Sequence, residues 1–139
     1  MRASSVSRII TTASGVRLTA SYSLQNQPKK AATVVLLHGW LGCSESTYIV
    51  SLSHALLSQG FNVVRINFRD HGYSEQLNPE VFHSCRLDEM IEACEHVQQE
   101  LPEQPLSLVG FSLGANFVLR INADSDPSRL RLHRVISFC

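Results

Sequence analysis

The sequence lacks any excess of charge of one sign. Its 12 lysine and arginine residues balance 12 aspartate and glutamate residues, and charged residues make up only 17% of the 139. A nucleic-acid-binding surface needs clustered basic residues, so this balance argues against a nucleic-acid partner. Hydrophobic residues make up 44%, which is typical of a globular chain rather than a disordered one.

Long apolar runs are absent as well. No run approaches the roughly 18–20 residues that a membrane span needs. The segment Met1–Ile10 lacks the apolar stretch of a secretory signal, because Arg2 and Arg8 interrupt it. We therefore expect no membrane span in this chain.

Cysteine is scarce, and its spacing excludes the usual metal motifs. The cysteines form no CxxC pair and no Cys/His ligand spacing. We interpret them as reduced, structural thiols, which favours a cytoplasmic location. We expect no metal site and no organic cofactor. The cysteines are Cys43, Cys85, Cys94 and Cys139.

The hydrophobic pattern predicts an α/β fold over residues 1–139, taken as one domain. Two β-rich runs, Val6–Thr12 and Val16–Leu24, flank a Gly15-containing turn and predict an antiparallel hairpin. Strands and helices then alternate, which predicts a mainly parallel, doubly wound sheet. The expected strands are Thr33–Leu37, Asn62–Phe68, Leu106–Phe111 and His133–Cys139, and the expected helices are Thr47–Gln59, Arg86–Leu101 and Leu113–Ala123.

A G-x-S-x-G motif lies where an apolar strand meets an apolar helix. Gly110 and Gly114 flank Ser112, and their missing Cβ atoms allow a sharp strand-to-helix turn. Such a turn holds the serine hydroxyl clear of the sheet, and the helix start leaves the Leu113 N–H able to face an oxyanion. We predict that Ser112 is a nucleophile; the alternative is an N-cap serine with packing glycines.

A second glycine-containing loop follows the first parallel strand, at the same edge of the sheet. Gly39 lets the backbone turn so that the N–H of Trp40 or Leu41 can point into the site, where it would complete an oxyanion hole. His38, at the strand end, suits a loop-shaping hydrogen bond better than a catalytic base. Trp40 is either a pocket wall or part of the core.

These motifs occur in an order that resembles the α/β-hydrolase superfamily. The segments are VVLLHGWLG, NFRDHGYSE and LVGFSLGAN, and FHSCRLDEM adds a similarity to the YheT-like branch. The resemblance implies a Ser–His–acid triad with Ser112 as nucleophile. It also implies oxyanion donors at Leu113 and Trp40 or Leu41, and cleavage of carboxylic esters, thioesters or acylglycerols.

The triad acid and histidine that the resemblance implies belong to positions after Cys139, so we expect the chain to be part of a longer protein. His71 or His83 could approach Ser112, but a loop hydrogen bond is the simpler role for each. Asp124 and Asp126 lie past the far end of the helix that follows Ser112, roughly 16–18 Å from that serine, which is too far for a triad acid. Arg69 is expected to staple its loop by a salt bridge, with substrate binding as the alternative.

Three functions therefore remain open. The first is a serine hydrolase that forms an acyl-Ser112 intermediate with a small-molecule acyl ester. The second is a truncated, non-catalytic product that acts by binding. The third is an acyltransferase in which an alcohol replaces water at the same serine.

Overall fold

Residues 4–139 are described by a computed structural model, in which they form a six-stranded sheet with three α-helices. Residues 1–3, part of the N-terminal segment considered above, lie outside this range. The strands are β1 (Val6–Thr11), β2 (Arg17–Ser23), β3 (Thr33–Leu37), β4 (Asn62–Ile66), β5 (Leu106–Phe111) and β6 (Leu132–Phe138). The helices are α1 (Thr47–Ser58), α2 (Leu87–Glu100) and α3 (Leu113–Asp124).

The sheet has the strand order β1-β2-β4-β3-β5-β6. The pairs β1–β2 and β2–β4 are antiparallel. β3 lies between β4 and β5 and is parallel to both, and β5 is parallel to β6. The predicted hairpin and mainly parallel sheet are therefore confirmed. β4 ends at Ile66 rather than Phe68, because its β3 partner ends there, at Leu37 opposite Ile66.

The core lies on both faces of the sheet, because side chains alternate along each strand. Val35 and Leu37 of β3 belong to the cluster that contains the apolar residues of α2 and α3. Val34 and Leu36 belong to the smaller cluster that contains Ile49 of α1. This sandwich of helix, sheet and helix fixes the carboxyl ends of β3, β4 and β5 at one edge, where the loops that follow them meet.

The four cysteines form no disulfide bond within residues 4–139. Cys94 lies on the apolar stripe of α2 and is fully buried, and its burial raises the pKa of the thiol to about 12. Cys94 is therefore a packing residue. Over residues 4–139 there is no helix with the length and apolarity to cross a bilayer.

Candidate active site

Ser112 lies at the turn between β5 and α3, in a backbone conformation that non-glycine residues rarely adopt. Its φ is 53° and its ψ is −110°. Such a residue costs on the order of 1–2 kcal/mol, which the surrounding fold must offset. The Ser112 N–H donates to the Phe138 carbonyl at 2.8 Å, which ties the turn to β6. The side chain is exposed above the sheet edge.

The two motif glycines lie where a side chain has no room. A Cβ on Gly110 would lie 2.1 Å from the carbonyl oxygen of Gly114, and a Cβ on Gly114 would lie 2.3 Å from the carbonyl oxygen of Leu37. Both obstacles are backbone atoms, which cannot rotate away. The strand β5, the start of α3 and the end of β3 therefore approach as closely as they do only because these residues are glycine.

Several backbone N–H groups near Ser112 have no acceptor within residues 4–139, and two of them bear on the site. They are the N–H of Leu113, at the first position of α3, and the N–H of Trp40, in the loop after β3. The neighbouring N–H of Leu41 differs, because it donates to Nε2 of His71 at 3.3 Å. The first two groups can therefore donate hydrogen bonds to a ligand oxygen without breaking an existing bond.

The loop after β3 is held against Ser112 by Tyr48 of α1. The Gly39 N–H donates to the Tyr48 hydroxyl at 2.8 Å, and the Gly42 N–H donates to the Gly39 carbonyl at 3.0 Å. A Cβ placed on Gly39 would lie 3.4 Å from Cβ of Ser112, so the loop and the serine are in direct contact. Tyr48 is not among the site residues predicted from the sequence, because its apolar neighbours on α1 make it resemble one more packing position.

His38 is buried beneath this loop with both ring nitrogens engaged. Nδ1 donates to the Gly39 carbonyl at 2.7 Å, and Nε2 accepts from the Phe68 N–H at 3.2 Å. Because a carbonyl only accepts and an N–H only donates, the imidazole is neutral with its proton on Nδ1. Burial lowers the pKa of His38 from 6.5 to about 4.

Both ring nitrogens of His71 also form hydrogen bonds. Nδ1 donates to the Arg69 carbonyl at 2.8 Å, and Nε2 accepts from Leu41. His83 is exposed, and its Nδ1 accepts from the Cys85 N–H at 3.3 Å. No side chain among residues 4–139 forms a hydrogen bond with Oγ of Ser112.

Arg69 is buried and turned into the protein. Its Nη2 lies 2.9 Å from Oε1 of Glu89 in α2, and its Nη1 donates to the Glu80 carbonyl at 3.0 Å. The side chains of Arg69 and Glu89 are each only 6% exposed. This is the loop staple considered above. Nothing in the sequence singles out Glu89 as the partner of Arg69, although it is one of the acidic residues in the first turn of α2.

Two adjacent clefts open at this edge of the sheet, and Trp40 borders both. The first, here called the serine cleft, has a volume of about 380 Å³. The second, here called the aromatic cleft, has a volume of about 410 Å³. The serine cleft is lined by Gly39, Trp40, Tyr48, Phe111, Ser112, Phe138 and Cys139. The aromatic cleft is lined by Trp40, Leu41, Gly42, Cys43, Asp70, His71, Gly72, Tyr73, Glu75, Val81 and Phe82.

Most of the side chains that line the serine cleft are aromatic, and none of them is a carboxylate or a basic group. Phe111 stacks on Phe138 with ring centroids 5.0 Å apart, and Tyr48 packs on Phe111 at 4.8 Å. Over the described part of the chain, no three His, Cys, Asp or Glu side chains are grouped so that they could hold a metal ion. The arrangement is suited to an uncharged ligand whose polar atom faces Ser112.

A family model, that of the alpha/beta hydrolase fold, matches residues 32–132. A curated relative, the embryogenesis-associated protein EMB8 of Picea glauca, is 26% identical over 93 residues. That match covers 67% of this chain and 20% of the relative, so the chain spans about a fifth of that protein's length.

Solved structures share the fold. The esterase Pf2001 of Pyrococcus furiosus superposes with a TM-score of 0.75 at 22% identity, over 91% of this chain and 48% of the esterase. An a/b serine hydrolase without lid from Xanthomonas campestris has a TM-score of 0.67 at 25% identity, over 88% of this chain and 57% of that protein. Epoxide hydrolase A of Mycobacterium thermoresistibile has a TM-score of 0.71 at 20% identity, over 94% and 39% of the two chains.

Proposed function

Because the chain belongs to the alpha/beta hydrolase fold family, we propose that it acts as a serine hydrolase on carboxylic esters or related thioester and acylglycerol bonds. The observation that carries this proposal is the backbone of Ser112. A serine held at φ 53° between β5 and α3, beside two N–H groups without acceptors, is strained in a way that packing alone does not require.

The reaction is acyl transfer to Ser112 followed by hydrolysis. Oγ loses its proton and bonds to the acyl carbon, and the ester C–O bond breaks as the alcohol leaves with a proton. Water then attacks the acyl carbon, the bond to Oγ breaks, and the carboxylic acid leaves as the serine hydroxyl is restored. Each half-reaction passes through a tetrahedral intermediate with a negative oxygen.

The oxyanion donors in this proposal are the N–H groups of Leu113 and Trp40. Both lack acceptors within residues 4–139, and the positive end of α3 lies behind Leu113. Of the two alternatives in the loop after β3, Trp40 is preferred to Leu41, because the Leu41 N–H is held by His71. Loss of one such donor typically reduces kcat by about 10²–10³-fold.

The acyl group would occupy the serine cleft. Its aromatic walls and its volume of about 380 Å³ suit an apolar acyl group of modest size. A charged acyl group would lose its hydration there without gaining a partner. The supporting similarity is that solved structures with this fold include an esterase and a serine hydrolase.

A second candidate function is binding without catalysis. It is favoured by one specific observation: His38 and His71, the histidines beside the site, have both ring nitrogens engaged. Neither is placed to take the Ser112 proton. A chain in which no other base reaches Ser112 would hold acyl ligands in the serine cleft but turn them over slowly.

The test compares the parent protein with Ser112→Ala and Ser51→Ala. Ser51 lies on the exposed face of α1, so its substitution is a matched control. Hydrolysis of p-nitrophenyl esters of increasing acyl length is measured together with labelling by a fluorophosphonate. We expect Ser112→Ala to lose labelling and to lose hydrolysis on the order of 10³-fold or more, with Ser51→Ala unchanged.

Two results would overturn the hydrolase proposal. One is Ser112→Ala activity equal to that of the parent. The other is a folded parent that neither hydrolyses the esters nor reacts with the fluorophosphonate, while an ester analogue still binds. The second result would establish the binding function instead.

A further inference from the structure

We propose that the aromatic cleft binds an organic cation, such as a quaternary ammonium or alkylammonium group, carried by the alcohol part of the ester. This inference rests on the proposed function for its link to Ser112, but the binding site itself does not depend on catalysis. It is argued from the aromatic lining, the charges and the wall that the two clefts share.

Three aromatic side chains line the cleft. Trp40 and Phe82 have ring centroids 5.9 Å apart, and Tyr73, which also lines the cleft, is 90% exposed. Trp40 is 58% exposed. Ring faces that remain accessible attract cations through their quadrupole, and tryptophan does so most strongly. The cleft therefore offers ring surfaces that the protein core does not use.

The charges of the lining have one sign. Asp70 and Glu75 contribute carboxylates, and no lysine or arginine lines the cleft. Neither carboxylate forms a salt bridge with any residue of the described chain. The nearby guanidinium groups are occupied elsewhere, since Arg69 pairs with Glu89 and Arg86 with Glu80.

These charges decide between ligand classes. A phosphate or carboxylate would be repelled by the Asp70 and Glu75 carboxylates, neither of which has a cationic partner, so anions are disfavoured. A neutral alkyl group would gain the apolar lining but would remove water from the Asp70 and Glu75 carboxylates without giving them a partner. A cation with an apolar surface can pack against the aromatic rings and is also attracted by the two carboxylates.

The backbone conformation of the lining residues also supports a functional role for the aromatic cleft. Among residues 4–139, the non-glycine residues with positive φ are Leu41, Asp70, Tyr73 and Ser112. The first three line the aromatic cleft, and the fourth lies in the serine cleft. Strained residues cluster at functional sites, and here they divide between two clefts that meet at Trp40.

Because the two clefts share Trp40 as a wall, each end of the substrate can lie in a different cleft. With the acyl group in the uncharged serine cleft and the ester bond at Ser112, the alcohol part can extend past Trp40 into the aromatic cleft. The expected substrate class is therefore an ester of an apolar acid with a cationic alcohol.

The experiment uses the fluorescence of Trp40, which is the only tryptophan in the sequence. Choline and its uncharged isostere 3,3-dimethylbutan-1-ol are titrated against the parent and against Ser112→Ala. We expect a saturable fluorescence change with choline in both proteins, and binding of the isostere weaker by about fivefold to tenfold. Added salt should weaken only choline binding.

Charge variants test the carboxylates. Asp70→Asn keeps an oxygen that can accept from the Phe82 N–H, as Oδ2 of Asp70 does at 2.7 Å, and Asn tolerates a positive φ. Glu75 is exposed, so Glu75→Gln leaves the fold unchanged. Each is expected to weaken choline binding about twofold to fivefold. Glu103→Gln, which removes the same charge from the exposed loop between α2 and β5, should have no effect.

The site proposal is overturned if the isostere binds as tightly as choline, if neither ligand changes Trp40 fluorescence, or if the two variants bind choline as the parent does. The substrate proposal is tested by comparing kcat/KM for the choline ester and the 3,3-dimethylbutyl ester of the same acid. A choline preference that Asp70→Asn and Glu75→Gln abolish supports it, and equal values overturn it. Choline binding without ester hydrolysis would refute the proposed function while leaving the cation site intact.

Discussion

His38 and Phe68 are joined across the sheet edge: Nε2 of His38 accepts the Phe68 N–H at 3.2 Å. This bond links the loop after β3 to the loop after β4, and it requires an unprotonated Nε2. The same imidazole supports the Gly39 carbonyl through Nδ1. The geometry of both clefts therefore depends on His38 remaining neutral.

Acidification is expected to destabilise the protein through His38. Its pKa is about 4 when folded, against an ordinary value of 6.5, chiefly because of burial. The unfolded chain then binds the proton more readily than the folded protein does. The contribution of neutral His38 to the free energy of unfolding is therefore complete above pH 6.5 and is lost as the pH falls towards 4. At about 1.4 kcal/mol per pKa unit, the free energy of unfolding decreases by roughly 3 kcal/mol. Urea unfolding across this range should show it.

The control for this pH dependence is a pair of variants. His38→Gln has no ionisable group, so the difference between its stability and that of the parent should shrink as the pH falls. His54→Gln, on the exposed surface of α1, should follow the parent throughout. Parallel curves for His38→Gln and the parent would contradict the assignment.

Tyr48→Phe should loosen the loop after β3. The Gly39 N–H loses its acceptor, which costs about 1 kcal/mol, and the Trp40 N–H loses its fixed direction. If the proposed hydrolase function is correct, kcat should fall by about tenfold with little change in KM. Tyr22→Phe is the matched control: it removes a 2.8 Å bond to Glu100, far from the clefts, and should leave kcat unchanged.

Gly114→Ala should disrupt the turn that holds Ser112. The new methyl group would lie 2.3 Å from the Leu37 carbonyl oxygen, so β3 and α3 must separate. We expect a loss of about 3 kcal/mol or failure to fold. Gly60→Ala is the comparison, because its φ is +91° but its Cβ would meet no atom within 4 Å. It should cost only about 1–2 kcal/mol. Equal melting temperatures for the two variants would contradict this account.

Glu89→Leu should leave the Arg69 guanidinium buried and uncompensated, at a cost of about 3–5 kcal/mol. Burial raises the pKa of Glu89 although Arg69 opposes this, so the ion pair itself contributes little net stability. The double variant Arg69→Met with Glu89→Leu should therefore recover most of the loss in a denaturation experiment. Glu80→Gln, in the exposed pair with Arg86, should change stability very little.

Much of the fold could be predicted from the sequence, because its signals are local. Apolar runs between Gly and Pro residues gave β3 and β5 with the bounds that the structure has, and helix α1 ends just before Gly60, where φ is +91°. The predicted β1 and β2 runs each extend one residue too far into the hairpin turn, because Thr12 and Val16 form hydrogen bonds within that turn. The predicted run for β2 also extends one residue past its other end, to Leu24 instead of Ser23.

The site was less predictable because it depends on contacts between distant segments. The Leu41 N–H has an acceptor only because His71, thirty residues later, is turned towards it. Tyr48 reads as one more apolar position on α1, and nothing local indicates that its hydroxyl meets Gly39. The pairing of Arg69 with Glu89 likewise needs the packing of α2 on the sheet.

Trp40 bounds both clefts, so ligands bound in the two clefts would contact the same indole. A ligand that moves this side chain in one cleft changes the shape of the other, and the free energy of that coupling is the same in either direction. Substitution at position 40 would therefore alter the apparent affinity of both sites and also the cooperativity between them. Movement of this one exposed indole would therefore couple the free energy of binding in one cleft to that in the other.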